Sequence, residues 1–239
     1  MSAVLESRSL CFGYGAKACC AMPLDFSLAM GEVVVLMGEN GCGKSTLLKT
    51  FAGLVNPVAG TVALNGRSLG GWTPRDRARR VALVRMNQSV PDRMTVREFV
   101  SLGRIPYSGF LDCRSAEDER SVDEAMDLLD VDAFASRPIA ELSDGERSRV
   151  FLAQALAQQV NVLLLDEPNA FLDIPRSHAL FRLLKKIAAE RQMGIVVSTH
   201  SVEYAERYAD RILVIDPNRV RVSCAGEARS QGLFDWTEI

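Results

Sequence analysis

Residues 33–50 read VVVLMGENGCGKSTLLKT, an apolar run followed by a loop with three glycines, a lysine and two hydroxyl residues. Gly38, Gly43, Lys44 and Ser45 fit the pattern G-x-x-x-x-G-K-[ST] without mismatch. The match follows a predicted strand (VVVLM) and opens a predicted helix (STLLKTFAGL), the context that the pattern requires. Glycine lets a backbone curl around a phosphate with its N–H groups pointing inward, and the helix start adds its positive end. The candidate nucleotide-binding residues are therefore Gly38, Glu39, Asn40, Gly41, Cys42, Gly43, Lys44, Ser45 and Thr46. Lys44 is placed to bridge β- and γ-phosphates, and the Ser45 hydroxyl to ligate Mg²⁺.

A second element lies far along the chain. VLLLDEP puts Asp166 at the end of four aliphatic residues, with Glu167 next to it. Alone, two acids after an apolar strand are more often a solvated turn. Paired with the glycine loop, Asp166 becomes a metal ligand and Glu167 a carboxylate able to orient or deprotonate an attacking water.

Composition sets limits on function. Among 239 residues, 48% are hydrophobic and 24% charged, which suits a globular chain and argues against disorder. The net charge of -2 offers no basic excess for a nucleic-acid partner. The longest apolar runs fall far short of the roughly 18 residues that span a bilayer, and MSAVLESRSL lacks the features of a secretion signal, so the expected location is cytoplasmic. The six cysteines (Cys11, Cys19, Cys20, Cys42, Cys113, Cys224) show no CxxC spacing, and with two histidines a zinc site is not expected. Cys19 and Cys20 are adjacent, which suits redox chemistry, but they are read rather as small buried thiols in a reducing compartment.

Periodicity organises the rest. Residues 1–37 are β-rich, and TVALNGRSL predicts a strand turning at Asn65-Gly66. From about 74 to 145 the character becomes helical: TVREFVSLG opens on a Thr95…Glu98 capping pattern, and Val122, Ala125, Met126 and Leu129 recur at helical spacing. Thereafter helices alternate with the strands NVLLLDEP, GIVVSTH and RILVID, which predicts an α/β fold with a parallel sheet covered on both faces. Ligands of such sheets sit at the carboxyl ends of the strands, where the motifs above begin. The terminal DPNRVRVSCAGEARSQGLFDWTEI predicts a short strand pair and a tail.

LSDGE, Leu142 to Glu146, stands 24 residues before Asp166. Ser143…Glu146 satisfies the capping box of a helix start. In that position it also resembles the signature motif, usually LSGGQ, of the ATP-binding cassette ATPases, and the resemblance extends over nearly the whole chain. It implies a single nucleotide-binding domain over 1–239, with 1–85 and 146–239 forming a P-loop core plus antiparallel β subdomain and about 86–145 a helical subdomain. It further implies that Tyr14 stacks on adenine, that His200 is the switch histidine contacting the γ-phosphate, and that Asp173 belongs to the loop running between two ATP sites. His178 matches nothing in the family pattern and is read as a surface residue.

The chain also departs from the family. The family's glutamine, which reaches Mg²⁺ and the water, comes two residues after the strand written here as VALV. That spacing holds Met86, with Gln88 two residues late. Either Gln88 serves both as metal ligand and in catalysis, or the contact is lost. Asp144 and Glu146 replace the usual glycine and glutamine and bring negative charge near a phosphate. Cys42, within the loop, is either a small buried residue or an oxidation site.

The resemblance implies two copies facing head to tail, with Ser143, Gly145 and Glu146 of one copy capping ATP-Mg²⁺ held by the other. A lone cassette without a spanning segment looks like the ATPase subunit of a membrane transporter. It is then a homodimer held at the cytoplasmic face of the membrane by integral permease subunits and supplied by a substrate-binding protein. MTVREFVSLGRIPY, Met94 to Tyr107, resembles the matching region in importers of iron-siderophores, haem and cobalamin. Two alternatives stay open: an exporter ATPase, and a cassette ATPase acting on nucleic acid in translation or repair, which would ordinarily carry two cassettes or a long coiled-coil insertion. A further reading, a degenerate cassette that binds ATP without cleaving it, draws on Met86 and Asp144 and is opposed by intact Lys44, Asp166, Glu167 and His200.

Overall fold

The apolar runs VVVLM, VALV, VLLLD, GIVVS and RILVID all become strands of one sheet. They are seen in a computed structural model that describes residues 3–15, 17–19, 22–86, 88–108, 115–216 and 219–234, so Cys20, Cys113 and the end of the predicted tail lie outside the described residues. In chain order the strands and α-helices are β1 (Ala3–Cys11), β2 (Gly13–Tyr14), β3 (Lys17–Ala18), β4 (Leu24–Ala29), β5 (Val33–Met37), α1 (Lys44–Phe51), β6 (Ala59–Leu64), β7 (Arg67–Ser68), α2 (Pro74–Ala78), β8 (Val81–Arg85), α3 (Val96–Ser101), α4 (Ala116–Leu128), α5 (Asp144–Ala157), β9 (Val162–Asp166), α6 (Ile174–Arg191), β10 (Gly194–Ser198), α7 (Val202–Tyr208), β11 (Arg211–Asp216) and β12 (Arg219–Cys224).

The central sheet has the order β12-β11-β5-β10-β9-β8, parallel except for β12 at one edge. All residues of β5 and β10 are buried, as continuous apolar runs require when both faces are covered. Alternation then divides each strand between two cores. Val33, Val35 and Met37 point into the core shared with α3 to α7, whereas Val34 and Leu36 join α1 and the second sheet. That second sheet, β4-β1-β6-β7, is antiparallel. Its strand β4 alternates buried and exposed residues because one face alone is covered. Asn65 (φ 48°) and Gly66 (φ 74°) turn β6 into β7 as the dipeptide predicts, both in the left-handed region that a tight hairpin needs.

Thr95 and Glu98 form the expected capping box at the start of α3. Val122, Ala125, Met126 and Leu129 are buried. The helical stretch shares its core with one face of the central sheet. Residues 74–145 are not wholly helical, since β8 lies inside them and completes the sheet. Its apolar run is as short as any strand and pairs with β9, far away in sequence. A buried ion pair, Arg104 Nε to Asp118 Oδ1 at 2.8 Å, ties the segment after α3 to the start of α4. The same guanidinium donates to the Ala157 carbonyl at the end of α5, at 2.8 Å. His178 is not free on the surface: Nδ1 lies 3.0 Å from the Tyr208 hydroxyl, fastening α6 to α7. Among the described residues no helix is long and apolar enough to cross a membrane.

Candidate nucleotide site

The loop leaving β5 emerges at the middle of the central sheet and runs into α1. Gly38 adopts φ 146°, and a Cβ there would lie 2.2 Å from the Ile215 carbonyl oxygen and 2.7 Å from Cys42 Sγ. Gly43 adopts φ 107°, with room for a Cβ removed by Cys19 and the Phe12 ring. Glycine is thus required at both positions by conformation and by close approach. Lys44 is buried, its Nζ donating to the carbonyls of Gly38 at 2.9 Å and Glu39 at 3.0 Å, so its charge sits inside the curl of its own loop. Glu39, Asn40, Gly41 and Ser45 are exposed along the loop, while Thr46 is buried in the first turn of α1. Cys42 is buried as well, and burial pushes its thiol up, away from the reactive thiolate.

Asp166 ends β9, and β10 beside it ends at Ser198. The Ser198 hydroxyl donates to Asp166 Oδ1 at 3.1 Å and accepts the Glu167 N–H at 2.9 Å. Glu167 itself takes a left-handed backbone, φ 50°. Such a conformation is costly for a side-chain-bearing residue and persists where surrounding bonds enforce it. The turn directs Glu167 to His200, whose Nε2 lies 2.7 Å from Glu167 Oε1. Against a carboxylate, which only accepts, that nitrogen carries the hydrogen. Ser45, Lys49, Arg85, Met86, Asp166 and Glu167 line one cleft of about 320 Å³.

Of the other sequence-derived positions, Met86 borders this cleft and the rest lie outside its lining. Met86 lines it and packs its apolar side chain on the main core. Gln88 lines an adjoining groove with Met86, Asp144 and Phe171, and its backbone carbonyl accepts from Arg147 Nη2 at 3.0 Å. Tyr14 is 58% exposed, and its hydroxyl lies 3.4 Å from Lys49 Nζ on α1. Ser143 caps α5: its hydroxyl accepts the Glu146 N–H, and Glu146 Oε2 takes the Ser143 N–H and hydroxyl, each at 2.8 Å. Those bonds to Ser143 hold the Glu146 carboxyl below its usual range. Ser143, Gly145 and Glu146 face a different groove from the Ser45–Glu167 cleft. Asp173 caps α6, accepting the Arg176 N–H at 2.9 Å, and is exposed.

The ABC transporter family profile matches residues 21–170, which run from before the glycine loop through Ser143 to beyond Glu167. The chain belongs to the ABC transporter family. It is an ATP-binding and ATP-hydrolysing cassette, and the matched stretch includes Ser143, the cap of α5. Over 211 residues it is 39% identical to the achromobactin transport ATP-binding protein of Dickeya dadantii, covering 88% of this chain and 78% of that one. It is 43% identical over 191 residues to a hemin import ATP-binding protein of Rhodococcus jostii, covering 80% and 64%. Identity to the ferric enterobactin transport ATP-binding protein of Escherichia coli is 34% over 216 residues, 90% and 79% of the two chains. The fold is similar to a solved ATP-binding subunit of an ABC transporter, with a TM-score of 0.79, 29% identity and coverage of 95% and 92%. It is similar also to a bacterial ABC transporter cassette solved as a dimer, with a TM-score of 0.79, 24% identity and coverage of 92% and 98%.

Three residues that line this cleft or support its carboxylates escape a reading of motifs. Ser198 supports both Asp166 and Glu167, and a polar residue ending the apolar strand GIVVS was its one available signal. Lys49 and Arg85 reach the cleft from the second turn of α1 and the end of β8. Neither has a motif of its own.

Proposed function

We propose that this cassette is the ATPase subunit of an importer of metal chelates, of the iron-siderophore, haem or cobalamin kind. It works as a homodimer beneath integral permease subunits at the cytoplasmic face of the membrane, with a substrate-binding protein on the far side. The observation that carries the catalytic part is the convergence of Ser45, Asp166 and Glu167 on one cleft beside the loop that holds Lys44. The names of the relatives, achromobactin transport, hemin import and ferric enterobactin transport, support the substrate class.

Under this reading the loop N–H groups and Lys44 bind the β- and γ-phosphates of ATP, and Tyr14 offers its open ring to adenine. Ser45 and Asp166 turn a hydroxyl and a carboxylate towards the same cleft, a hard oxygen set that suits Mg²⁺. Bound with the nucleotide, Mg²⁺ supplies charge neutralisation. Glu167 orients the attacking water and receives its proton, and His200 holds the carboxylate in place. The second copy contributes Ser143 and the N-terminal end of α5, with Asp173 at the seam between copies. Gln88 serves the metal and water only if the turn after β8 rearranges to bring it into the cleft.

The test is to purify the chain from detergent-solubilised membranes, identify the hydrophobic protein that accompanies it, and measure uptake by the reconstituted pair. ATP-dependent accumulation of a ferric siderophore, haem or cobalamin is expected. ATP-driven extrusion, or salt-sensitive copurification with RNA and no membrane partner, would replace the proposal with one of the two alternatives.

A further inference from the structure

β8 and β9 are parallel neighbours in which Arg85 stands opposite Asp166. In such a ladder paired residues project to the same side of the sheet, and both side chains line the cleft with Ser45 and Glu167. Arg85 is exposed, and among the described residues no hydrogen bond or ion pair ends on its guanidinium. The neighbouring cations are engaged: Lys44 donates to two loop carbonyls, and Lys49 reaches the Tyr14 hydroxyl. Next in sequence, Met86 is apolar and packs on the core, while Gln88 lines the adjoining groove. The end of β8 therefore presents one polar side chain to the cleft, a cation with all its donors unspent.

An arginine beside two carboxylates, yet paired with neither, fits a site that receives a strong anion. The phosphate nearest Glu167 is the one the water attacks, because the carboxylate that accepts the proton must lie within reach of that water. We infer that Arg85 contacts the γ-phosphate of bound ATP and neutralises the charge on its equatorial oxygens during hydrolysis, a role carried within the chain by a residue just before the displaced glutamine. In that step the water oxygen bonds to the γ-phosphorus, the bond from phosphorus to the β,γ-bridging oxygen breaks, and ADP leaves with its electron pair. The water proton goes to Glu167. Arg85 transfers nothing and acts by charge and by its planar donor fork. Arginines in this role speed phosphoryl transfer by about 10³–10⁵-fold elsewhere. Lys44 shares the task here, so a loss of about 10²-fold is expected.

The inference rests on the nucleotide-site reading and is separable from it. Full-length Arg85→Ala, Arg85→Lys and Arg85→Gln would be compared with wild type for thermal midpoint, affinity for ADP, affinity for a non-hydrolysable ATP analogue, and kcat. The expected result is an unchanged midpoint and ADP affinity, analogue binding weakened about tenfold, kcat lowered about 10²-fold in Ala and Gln, and partial recovery in Lys, which keeps the charge but loses the fork. Turnover within threefold of wild type in Arg85→Gln, or equal weakening of ADP and analogue in every variant, would overturn it. Lys44→Ala is the separate control: if that variant binds ADP like wild type, the nucleotide site itself is misplaced and the fault lies there.

Discussion

His200 Nε2 lies 2.7 Å from Glu167 Oε1, a contact that joins the chain just beyond two neighbouring parallel strands, β9 and β10. The pair is positioned by backbone. Glu167 is turned by its left-handed conformation and held by Ser198, while His200 follows two residues after Ser198. Under the proposed function, carboxylate and imidazole act as one unit, with the first handling the water and the second fixing its direction.

If so, Glu167→Gln keeps nucleotide affinity, loses about 10²-fold or more in turnover, and accumulates as an ATP-bound dimer. His200→Ala loses less. The double variant is no slower than Glu167→Gln alone, since residues acting as a unit are not additive. Phosphate release and gel filtration with ATP check all three, and turnover near wild type in Glu167→Gln rejects the assignment of the base.

The glycines of the phosphate loop are not equivalent. A Cβ at Gly38 would meet the Ile215 carbonyl oxygen at 2.2 Å, whereas at Gly41 (φ 81°) it would find nothing within 4 Å. Gly41→Ala therefore pays conformational strain alone, about 1 kcal/mol, and Gly38→Ala strain plus a backbone clash, roughly 3 kcal/mol or more. Urea denaturation of the two variants should show that order. Equal midpoints would mean that the loop relaxes freely away from β11.

Asp118 carries a pH dependence. The Ser115 N–H first, then the Arg104 guanidinium and the Ser115 hydroxyl, hold its carboxyl at about 2 against an ordinary 3.8, with burial opposing them. Because the folded value is the lower one, the ionised carboxylate stabilises the fold above about pH 4, and that contribution fades as pH falls towards 2. Asp118→Asn, which copies the protonated form and strips Arg104 of its counter-charge, should cost about 3 kcal/mol at neutral pH. Its deficit relative to wild type should shrink between pH 4 and 2 in denaturant titrations. A deficit independent of pH would assign the loss to packing instead.

Local signals are legible in the sequence. Thr95–Glu98 and Ser143–Glu146 cap helices as their spacing predicts, Asn65-Gly66 turns a hairpin, and the loop around Lys44 curls where its glycines require. Each involves residues a few positions apart, so chain connectivity already limits what they can do. Other features had no such signal. Arg104 and Asp118 pair across 14 residues, Arg147 bonds the Gln88 carbonyl from 59 residues away, and His178 finds Tyr208 on another helix. The order of the strands, β8 beside β9 rather than beside β7, is equally remote from local pattern.

From sequence alone came the α/β class, the phosphate loop, the acidic strand end and the resemblance to the ATP-binding cassettes, because short motifs encode short-range geometry and chemistry. Tertiary structure decided which side chains meet. It set Ser198 between Asp166 and Glu167, brought His200 onto Glu167, and turned Arg85 and Met86 rather than Gln88 towards the cleft. Those contacts depend on how parallel strands distant along the chain lie side by side, and that arrangement is settled by burying both faces of the sheet at once.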